Sequence, residues 1–499
     1  MSHALPAKRF FSIDIRNPFL RVFVPFGLVQ GLLYYLLTSK GLWQHSFGEI
    51  SPMHGRMVAA CFLFHAGLTF FLVYRHGLLR RSAVVAGVFG LLQAGLWLTF
   101  HSLYPETRST GSTGFSFGWL DSFFTFYSLS TIIDYVAMPF LQIYVANRRF
   151  SFPYENLFQH AWNNAQITFS SYLLTGLFWG TLWLSYALLN IVKINIGPIL
   201  RDAAFICISF FTVKAIGYGM ARDNEAMVGA LRRLCLGFCR FLAPILSICA
   251  VVFLLGLLGS GLDTIWKTRM ATPLLLSFVF LSILFFNSIF QDGKNDLYFS
   301  GLPGTVQRVA LLTLPIFAGL GAYSIFLRIQ QYGLTPSRFY AVLFTVFSGI
   351  YSSIYAVAAF LPAARRGSTI MRGNVFTAFL VLAVCIAVQL PPLSAAALSA
   401  AHQYYLFTSG RMPVEKFDFY SLGHRLGRPG EKALEKIQSL QVPSAPAIRQ
   451  AISEAESKHR PYGAIKPANA MTAQEKDAQD AALHAVTTYL LIKPDGTTL

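Results

Sequence analysis

Residues 270–291, MATPLLLSFVFLSILFFNSIFQ, form an apolar run without a single charged side chain. A run of about 18 or more such residues is long enough to cross the hydrocarbon core of a bilayer as a helix. The whole chain follows this trend, since it is 54% hydrophobic and only 12% charged. Soluble domains carry about 25% charged residues. The composition therefore predicts a multi-pass membrane protein.

Further windows of this kind fill the chain between residues 19 and 392. The predicted spans are 19–38, 57–74, 83–104, 118–146, 166–190, 203–220, 236–258, 270–291, 306–328, 338–362 and 373–392. We therefore predict an all-α polytopic membrane protein with about eleven transmembrane helices. A short segment (1–18) precedes this bundle (19–392), and a mainly helical segment (393–499) follows it. The span at 203–220 is the weakest, because it is short and contains Lys214.

The net charge of +18 would suit a nucleic-acid-binding protein. The Lys and Arg residues instead lie in short loops beside the apolar runs, and no RNA- or DNA-binding motif accompanies them. Such positive loops mark the cytoplasmic side of a membrane. Loops on the side of the N-terminus hold 17 Lys and Arg residues, against 9 on the other side. We therefore expect no nucleic-acid partner, a cytoplasmic N-terminus and an extracytoplasmic C-terminal segment.

A short polar stretch, RIQQYGLTPSRFY at 328–340, separates two of the predicted spans. Gly333 tolerates a positive φ and can end the incoming helix. Thr335 is a good N-cap, and Pro336 suits the first helical position because its missing N–H costs nothing there. The stretch therefore predicts a tight hairpin on the extracytoplasmic side.

Two arginines, Arg328 and Arg338, flank this hairpin. Both can extend to the lipid headgroups from the helix ends. If both faced a pocket together, they would instead suit a phosphate or carboxylate ligand. The sequence leaves these two interpretations open.

Four stretches carry a resemblance to a known family. They are PYENLFQHAWNNA (153–165), FNSIFQDG (286–293), RIQQYGLTPSR (328–338) and FDFYSLGHRLGRPGEKALEKI (417–437). In order and spacing they resemble a family of bacterial inner-membrane proteins catalogued as domain of unknown function number forty-one fifty-three. The resemblance implies a bacterial inner membrane, a multi-pass core and a soluble C-terminal segment, which the loop charges would place in the periplasm. It implies no particular reaction or substrate.

Ionisable side chains inside predicted spans are candidates for function, because leaving them unpaired in a bilayer costs several kcal/mol. Asp134 and Lys214 lie at similar depths in their spans, so an ion pair between them is geometrically possible, and Arg240 is a second candidate partner. Asp121 is the fourth residue of this kind. Two roles stay open, namely a structural lock between helices and a relay for protons or substrate.

A second group of polar residues lies near the extracytoplasmic face. The first external loop holds His45 and Glu49, with His54 at its end, and Asp121 lies at the next outer edge. By analogy with membrane glycosyltransferases, Glu49 is a candidate catalytic acid. The His45, Glu49 and His54 ligand types suit a metal, but their spacing matches no motif, so we predict neither a metal nor another cofactor.

The C-terminal segment predicts short helices at GEKALEKIQSL, PAIRQAISEAES and QEKDAQDAALHAV, and a strand at TTYLLIKPDGTTL. Its modest apolar content predicts that it packs on the bundle or on a partner. Three functional hypotheses follow for the whole chain. The first is transport or handling of a lipid or envelope-related substrate, with membrane lipids as partners. The others are a membrane-embedded enzyme, and a scaffold that presents 393–499 to envelope proteins.

Overall fold

The computed structural model describes residues 17–38, 52–104, 117–262, 265, 270–293, 299–440 and 445–458. Throughout these residues the regular structure is helical, with no strand. Eleven of the helices are long and apolar enough to cross a membrane. The prediction of an all-α, multi-pass membrane protein is therefore confirmed. The strand predicted at 487–499 and the helix at 474–486 lie outside the described residues.

The long helices coincide with the predicted spans, although the three that begin at Tyr154, Glu225 and Ala363 start 10–12 residues earlier than predicted. They are α1 (Pro18–Thr38), α2 (Pro52–Val73), α3 (Leu79–His101), α4 (Phe117–Asn147), α5 (Tyr154–Ile191), α7 (Ala203–Asp223), α8 (Glu225–Ser260), α9 (Ala271–Phe290), α10 (Gly301–Tyr332), α11 (Pro336–Phe360) and α12 (Ala363–Ala387). The short helices are α6 (Gly197–Arg201), α13 (Ala395–Thr408), α14 (Phe419–Arg425), α15 (Gly427–Gln438) and α16 (Ala445–Lys458).

The uncertain span at 203–220 forms the complete helix α7. Asp202 caps its start, since the carboxylate accepts a hydrogen bond from the backbone N–H of Phe205 at 2.9 Å. Asn224 follows its end and caps α8 in the same way, accepting from the N–H of Met227 at 3.0 Å. Side-chain acceptors at this position satisfy donors that a helix start leaves open. Helix α7 is therefore complete over Ala203–Asp223 and is long and apolar enough to cross a membrane.

Within the described residues the bundle has two large apolar cores and a small third cluster at Phe140, Ile143 and Leu157. The first lies among α1–α5 and α7 and includes the buried rings of Phe23, Phe71 and Tyr218. The second lies among α8–α12 and includes Leu311 and Tyr355. Contacts of α5 with α8 and of α4 with α12 join the two halves. Large apolar side chains on the outward faces of the long helices are exposed, as a lipid environment requires.

Two of the spanning helices have more residues than the other nine. Helix α5 has 38 residues, and α8 has 36. They pack together near their N-terminal ends, where the Arg232 guanidinium donates a hydrogen bond to Asn163 Oδ1 at 2.9 Å. Gln166 and Cys235 continue this contact one turn further along.

Residues 391–440 and 445–458 cover one end of the bundle, and we call them the cap. They have a small core of their own, with Phe419, Leu422 and Ile437 buried in it. The cap is also tied to the bundle, since the Arg428 N–H donates to the Leu103 carbonyl at 2.8 Å. The preceding Gly427 has φ +57°, and a Cβ there would collide with the same carbonyl. The described part of the C-terminal segment therefore packs on the bundle, which is one of the two alternatives predicted.

Arginines at the opposite end of the bundle bind helix C-termini. The last carbonyls of a helix lack intrahelical donors and accept from such side chains. The donors and acceptors are Arg81 to Val145, Arg222 to Leu72 and Tyr74, and Arg308 to Ala359. The positive loops that suggested the orientation therefore also close the ends of α2, α4 and α11.

Candidate functional site

A large cavity lies where the cap meets the bundle. Its volume is about 1580 Å³, which exceeds the roughly 300–1,000 Å³ of usual small-molecule pockets. Helices α4, α11 and α12, the 328–340 hairpin and the cap form its walls. We call it the cap cavity.

The packing of three helices opens the cap cavity toward the side of the bundle. Helix α12 packs against both α4 and α11, whereas α4 and α11 have little contact with each other. Val384 and Cys385 of α12 form the back wall of the gap between them. At its edges, Phe124 and Phe344 are 65% and 41% exposed.

The part of the cavity beneath the cap is polar and mainly cationic. Arg338 from the hairpin and Lys416 and Arg425 from the cap line it, together with one acid, Asp418. The Asp418 carboxylate is already engaged, because it caps α14 by accepting from the N–H of Ser421 at 2.9 Å. The charged residues of this section are therefore three cations and one acid, and the acid already accepts one hydrogen bond.

The hairpin itself has the predicted construction. Helix α10 ends at Gly333, which has φ +75°, and Thr335 caps α11 by accepting from the N–H of Arg338. Arg338 also donates to the Gly333 carbonyl at 2.7 Å. Of the two flanking arginines, Arg338 lines the cap cavity and Arg328 does not. The two therefore do not act together on one pocket.

A second polar site lies in the middle of the first core. The Asp134 carboxylate of α4 contacts His65 of α2, with Nδ1 at 2.8 Å from one oxygen and 3.1 Å from the other. Gln93 of α3 donates its side-chain N–H to the same carboxylate at 3.0 Å. All three side chains are buried. The candidate Asp134–Lys214 ion pair is not formed, because His65 and Gln93 occupy the carboxylate.

Lys214 is nevertheless close to this site. Its side chain is fully buried on α7, and Nζ has no hydrogen-bond partner among the described residues. The nitrogen lies over the rings of Phe64, Phe211 and Tyr172, at 4.9, 5.4 and 5.5 Å from their centres. Such faces attract an ammonium group. An aromatic cage, rather than Asp134, is therefore the immediate surrounding of Lys214.

Arg240, the other candidate partner of Asp134, lies elsewhere. It is exposed on α8, and its guanidinium stacks over the Phe299 ring at 5.1 Å. His65 and Gln93 were not singled out from the sequence, although each interrupts an apolar span with a polar side chain. That interruption is the signal that would have identified them.

The proposed extracytoplasmic cluster is only partly within the described structure. His45 and Glu49 lie outside the described residues. His54 falls on α2 and Asp121 on α4, but their side chains are outside the described part. In the described residues, no three His, Cys, Asp or Glu side chains form a group that could hold a metal. Catalysis by Glu49 stays a prediction.

Two further polar clusters have the character of structural locks. Gln142 of α4 and Asn164 of α5 exchange side-chain hydrogen bonds at 2.8 and 3.0 Å. Asn374 of α12 donates to the Tyr154 hydroxyl at 2.8 Å and to Asn287 Oδ1 at 2.9 Å. These polar groups satisfy one another across helices, so they hold the bundle together.

The comparisons with known proteins give no relative for this chain. No family model matches it. No curated protein and no solved structure matches it either. The family resemblance of the four quoted stretches therefore stays a prediction.

Proposed function

We propose that the protein binds and handles a lipid-like amphiphile with an anionic headgroup in the cap cavity. The observation that carries this proposal is the arrangement of the cavity itself. It joins an apolar section, open toward the lipid between α4 and α11, to a cationic section under the cap. This arrangement matches the two halves of an amphiphile.

The apolar section suits acyl chains by size and by access. Its walls include Leu129 and Ile132 of α4 and Leu343 and Phe347 of α11. A chain that enters from the bilayer exchanges one apolar surrounding for another, so burial of the chain alone provides little affinity. The headgroup contacts must therefore determine what binds.

The cationic section suits a phosphate or carboxylate headgroup. Arg338, Lys416 and Arg425 approach it from two different elements, the hairpin and the cap. Arginine binds such groups through a planar fork of donors, and lysine binds them as a point charge. An anionic headgroup would therefore bring the cap and the hairpin together through a shared ligand.

The proposal includes an orientation. We place the capped end outside the cytoplasm, in a bacterial inner membrane, because the loops at the other end carry more Lys and Arg residues. In this arrangement the cap cavity opens to the outer leaflet. Membrane lipids are then the first partners, and the exposed surface of the cap is available to envelope proteins.

Photo-crosslinking tests the proposal directly. The protein is reconstituted into phosphatidylcholine vesicles that contain a small fraction of a phosphatidylglycerol carrying a photoreactive acyl chain. We expect labelled peptides from α4 and α11 around the cavity. A Lys416→Gln/Arg425→Gln variant is expected to lose labelling at these positions about tenfold, which corresponds to about 1.4 kcal/mol. Labelling spread evenly over the outward faces of the bundle would overturn the proposal.

Matched variants separate the cavity from general effects. Lys432→Gln/Arg449→Gln removes two cap cations that do not line the cavity, so it should label as the wild type does. Leu343→Trp fills the apolar section and should reduce labelling, whereas Leu184→Trp on the exposed face of α5 should not. Equal labelling of Leu343→Trp and Leu184→Trp would count against binding inside the cavity.

A further inference from the structure

The polar site in the first core lies halfway along four helices. Each helix contributes one polar residue from near its middle: His65 from α2, Gln93 from α3, Asp134 from α4 and Lys214 from α7. None of them lines the cap cavity. On α4, the cavity residues Thr125, Ser128, Leu129 and Ile132 lie on the face opposite Asp134. The site is therefore separate from the one proposed for the amphiphile.

The contacts of Asp134 favour its ionised form. The Gln93 side-chain amide donates a hydrogen bond to the carboxylate, and His65 Nδ1 lies 2.8 Å from it. An ionised carboxylate only accepts, so beside an ionised Asp134 the Nδ1 nitrogen carries a proton and donates it. Hydrogen bonds donated to a carboxylate stabilise the charged state. A single negative charge in the middle of a bilayer requires one compensating positive charge nearby.

Two basic groups are available for that one positive charge. The Nδ1 nitrogen of His65 contacts Asp134. Its other ring nitrogen, Nε2, is buried with no hydrogen-bond partner in the described structure. Lys214 Nζ is equally buried and equally unpartnered there. Protonating both bases would leave a net positive charge, and protonating neither would leave a net negative charge. Both states are costly in an apolar interior.

The surrounding groups do not change this balance. The other titratable residues near the site are tyrosines and two cysteines, which are uncharged at neutral pH. They are Tyr34 on α1, Cys61 on α2, Tyr127 on α4, Tyr172 on α5, and Cys207 and Tyr218 on α7. Helix α3 contributes the neutral amide of Gln93. The charges that matter are therefore those of His65, Asp134 and Lys214.

We propose that His65, Asp134 and Lys214 form a buried binding site for one proton, with His65 and Lys214 as alternative bases. Asp134 stays ionised in both states. At neutral pH the proton is on Lys214, because an amine is the stronger base and three aromatic rings surround Nζ. When the ammonium gives up its proton, His65 Nε2 takes one, and the total charge of the three groups stays at zero.

The test reads the protonation state of His65 by nitrogen NMR. The full-length protein is prepared with ¹⁵N-labelled histidine in lipid nanodiscs, and His65→Asn identifies the resonances by their loss. At pH 7 we expect a neutral His65 in the wild type, with the proton on Nδ1. In Lys214→Met we expect an imidazolium at the same pH, because His65 must now balance Asp134. In Lys214→Met/Asp134→Asn we expect a neutral ring again.

Two outcomes would overturn the proposal. One is a His65 ring with the same protonation state in the wild type and in Lys214→Met. The other is an imidazolium in the wild type, which needs no variant and therefore does not depend on how well the variants fold. Lys432→Met, which removes an exposed cation from the cap, should leave His65 neutral. Unchanged resonances of His160 and His402 would show that each variant keeps its fold.

Discussion

The backbone N–H of Leu334, at the tip of the 328–340 hairpin, donates a hydrogen bond to Nδ1 of His402 at 3.1 Å. The Gln403 side-chain amide donates a hydrogen bond to the Leu334 carbonyl at 3.0 Å. Residue 334 is thus held through both of its backbone groups by two consecutive residues of α13. The hairpin is therefore part of the attachment of the cap, in addition to connecting two spans.

This attachment should weaken in acid. Burial lowers the pKa of His402 below its usual 6.5, and only the unprotonated Nδ1 can accept from Leu334. The unfolded chain therefore binds the proton first, so the contribution to stability is complete above about pH 6.5 and is lost as pH falls through the lowered pKa. Thermal unfolding in detergent as a function of pH measures the loss.

Substitutions at His402 separate the hydrogen bond from the titration. We expect His402→Leu to lose about 0.5–1.5 kcal/mol at neutral pH. His402→Asn keeps an acceptor that does not titrate, so its stability should depend less on pH than that of the wild type. His424→Asn, on the cap but away from the hairpin, serves as the control. If His402→Asn and the wild type have identical pH profiles, His402 is not the titrating group.

Gly333 should be intolerant of any side chain. Its backbone has φ +75° and ψ 175°, a region used almost only by glycine, and other residues there cost about 1–3 kcal/mol. A Cβ would also lie 2.6 Å from the Gln403 amide nitrogen. We expect Gly333→Ala to lower the free energy of unfolding by about that amount and to speed hydrogen exchange across α13.

Gly319 provides the matched control on the same helix. A Cβ at this position meets nothing within 4 Å, and its backbone is helical. Gly319→Ala should therefore leave stability unchanged or raise it slightly. Equal losses in the two variants would mean that the position in α10, rather than the backbone of the hairpin, is responsible.

The Gln142–Asn164 pair should couple α4 to α5 energetically. A double-mutant cycle with Gln142→Leu and Asn164→Leu isolates the two reciprocal hydrogen bonds. Interhelical hydrogen bonds in membranes contribute about 0.6 kcal/mol on average, up to about 1.7, so we expect a coupling energy within that range. Gln142→Leu combined with the distant Ser185→Ala should be additive. A coupling near zero in the first cycle would mean that the pair adds no stability.

The orientation predicts where the ends of the chain lie. With eleven spans and a cytoplasmic N-terminus, a reporter that is active only outside the cytoplasm should be active when fused after Leu499. The same reporter fused after Arg149, between α4 and α5, should be inactive. A reversed pattern would show that the loop charges do not set the orientation. Activity at neither site would show that one of the eleven helices does not cross.

The sequence predicted the helices well because hydropathy reports directly on length and lipid exposure. It also predicted the hairpin, since the choices at Gly333, Thr335 and Pro336 are local. The pairing of buried polar residues was predicted less well. Depth alone suggested Lys214 as the partner of Asp134, but depth does not define which face of each helix a residue occupies. Packing between α2 and α4 places His65, instead of Lys214, at the Asp134 carboxylate.

The cap cavity could not be predicted from the sequence. It exists because α4 and α11 both pack on α12 and have little contact with each other. The gap between α4 and α11 depends on contacts between residues that are far apart in the chain. Its cations come from the hairpin and from residues 416 and 425 of the cap, which only the folded structure brings together. Arg338 was identified from the sequence, whereas Lys416 and Arg425 had no local signal to distinguish them.

The lengths of α5 and α8 have a consequence for the surface beyond the membrane. At about 1.5 Å per residue they measure about 57 and 54 Å, against a hydrocarbon thickness of about 30 Å. Even a tilt of about 40°, the upper end of the usual range, accounts for only part of the surplus. The first turns of both helices are packed within the bundle, since Leu157 and Val228 are buried. The surplus length of α5 and α8 therefore lies toward their C-terminal ends, where Leu188 and Leu258 are 58% and 85% exposed.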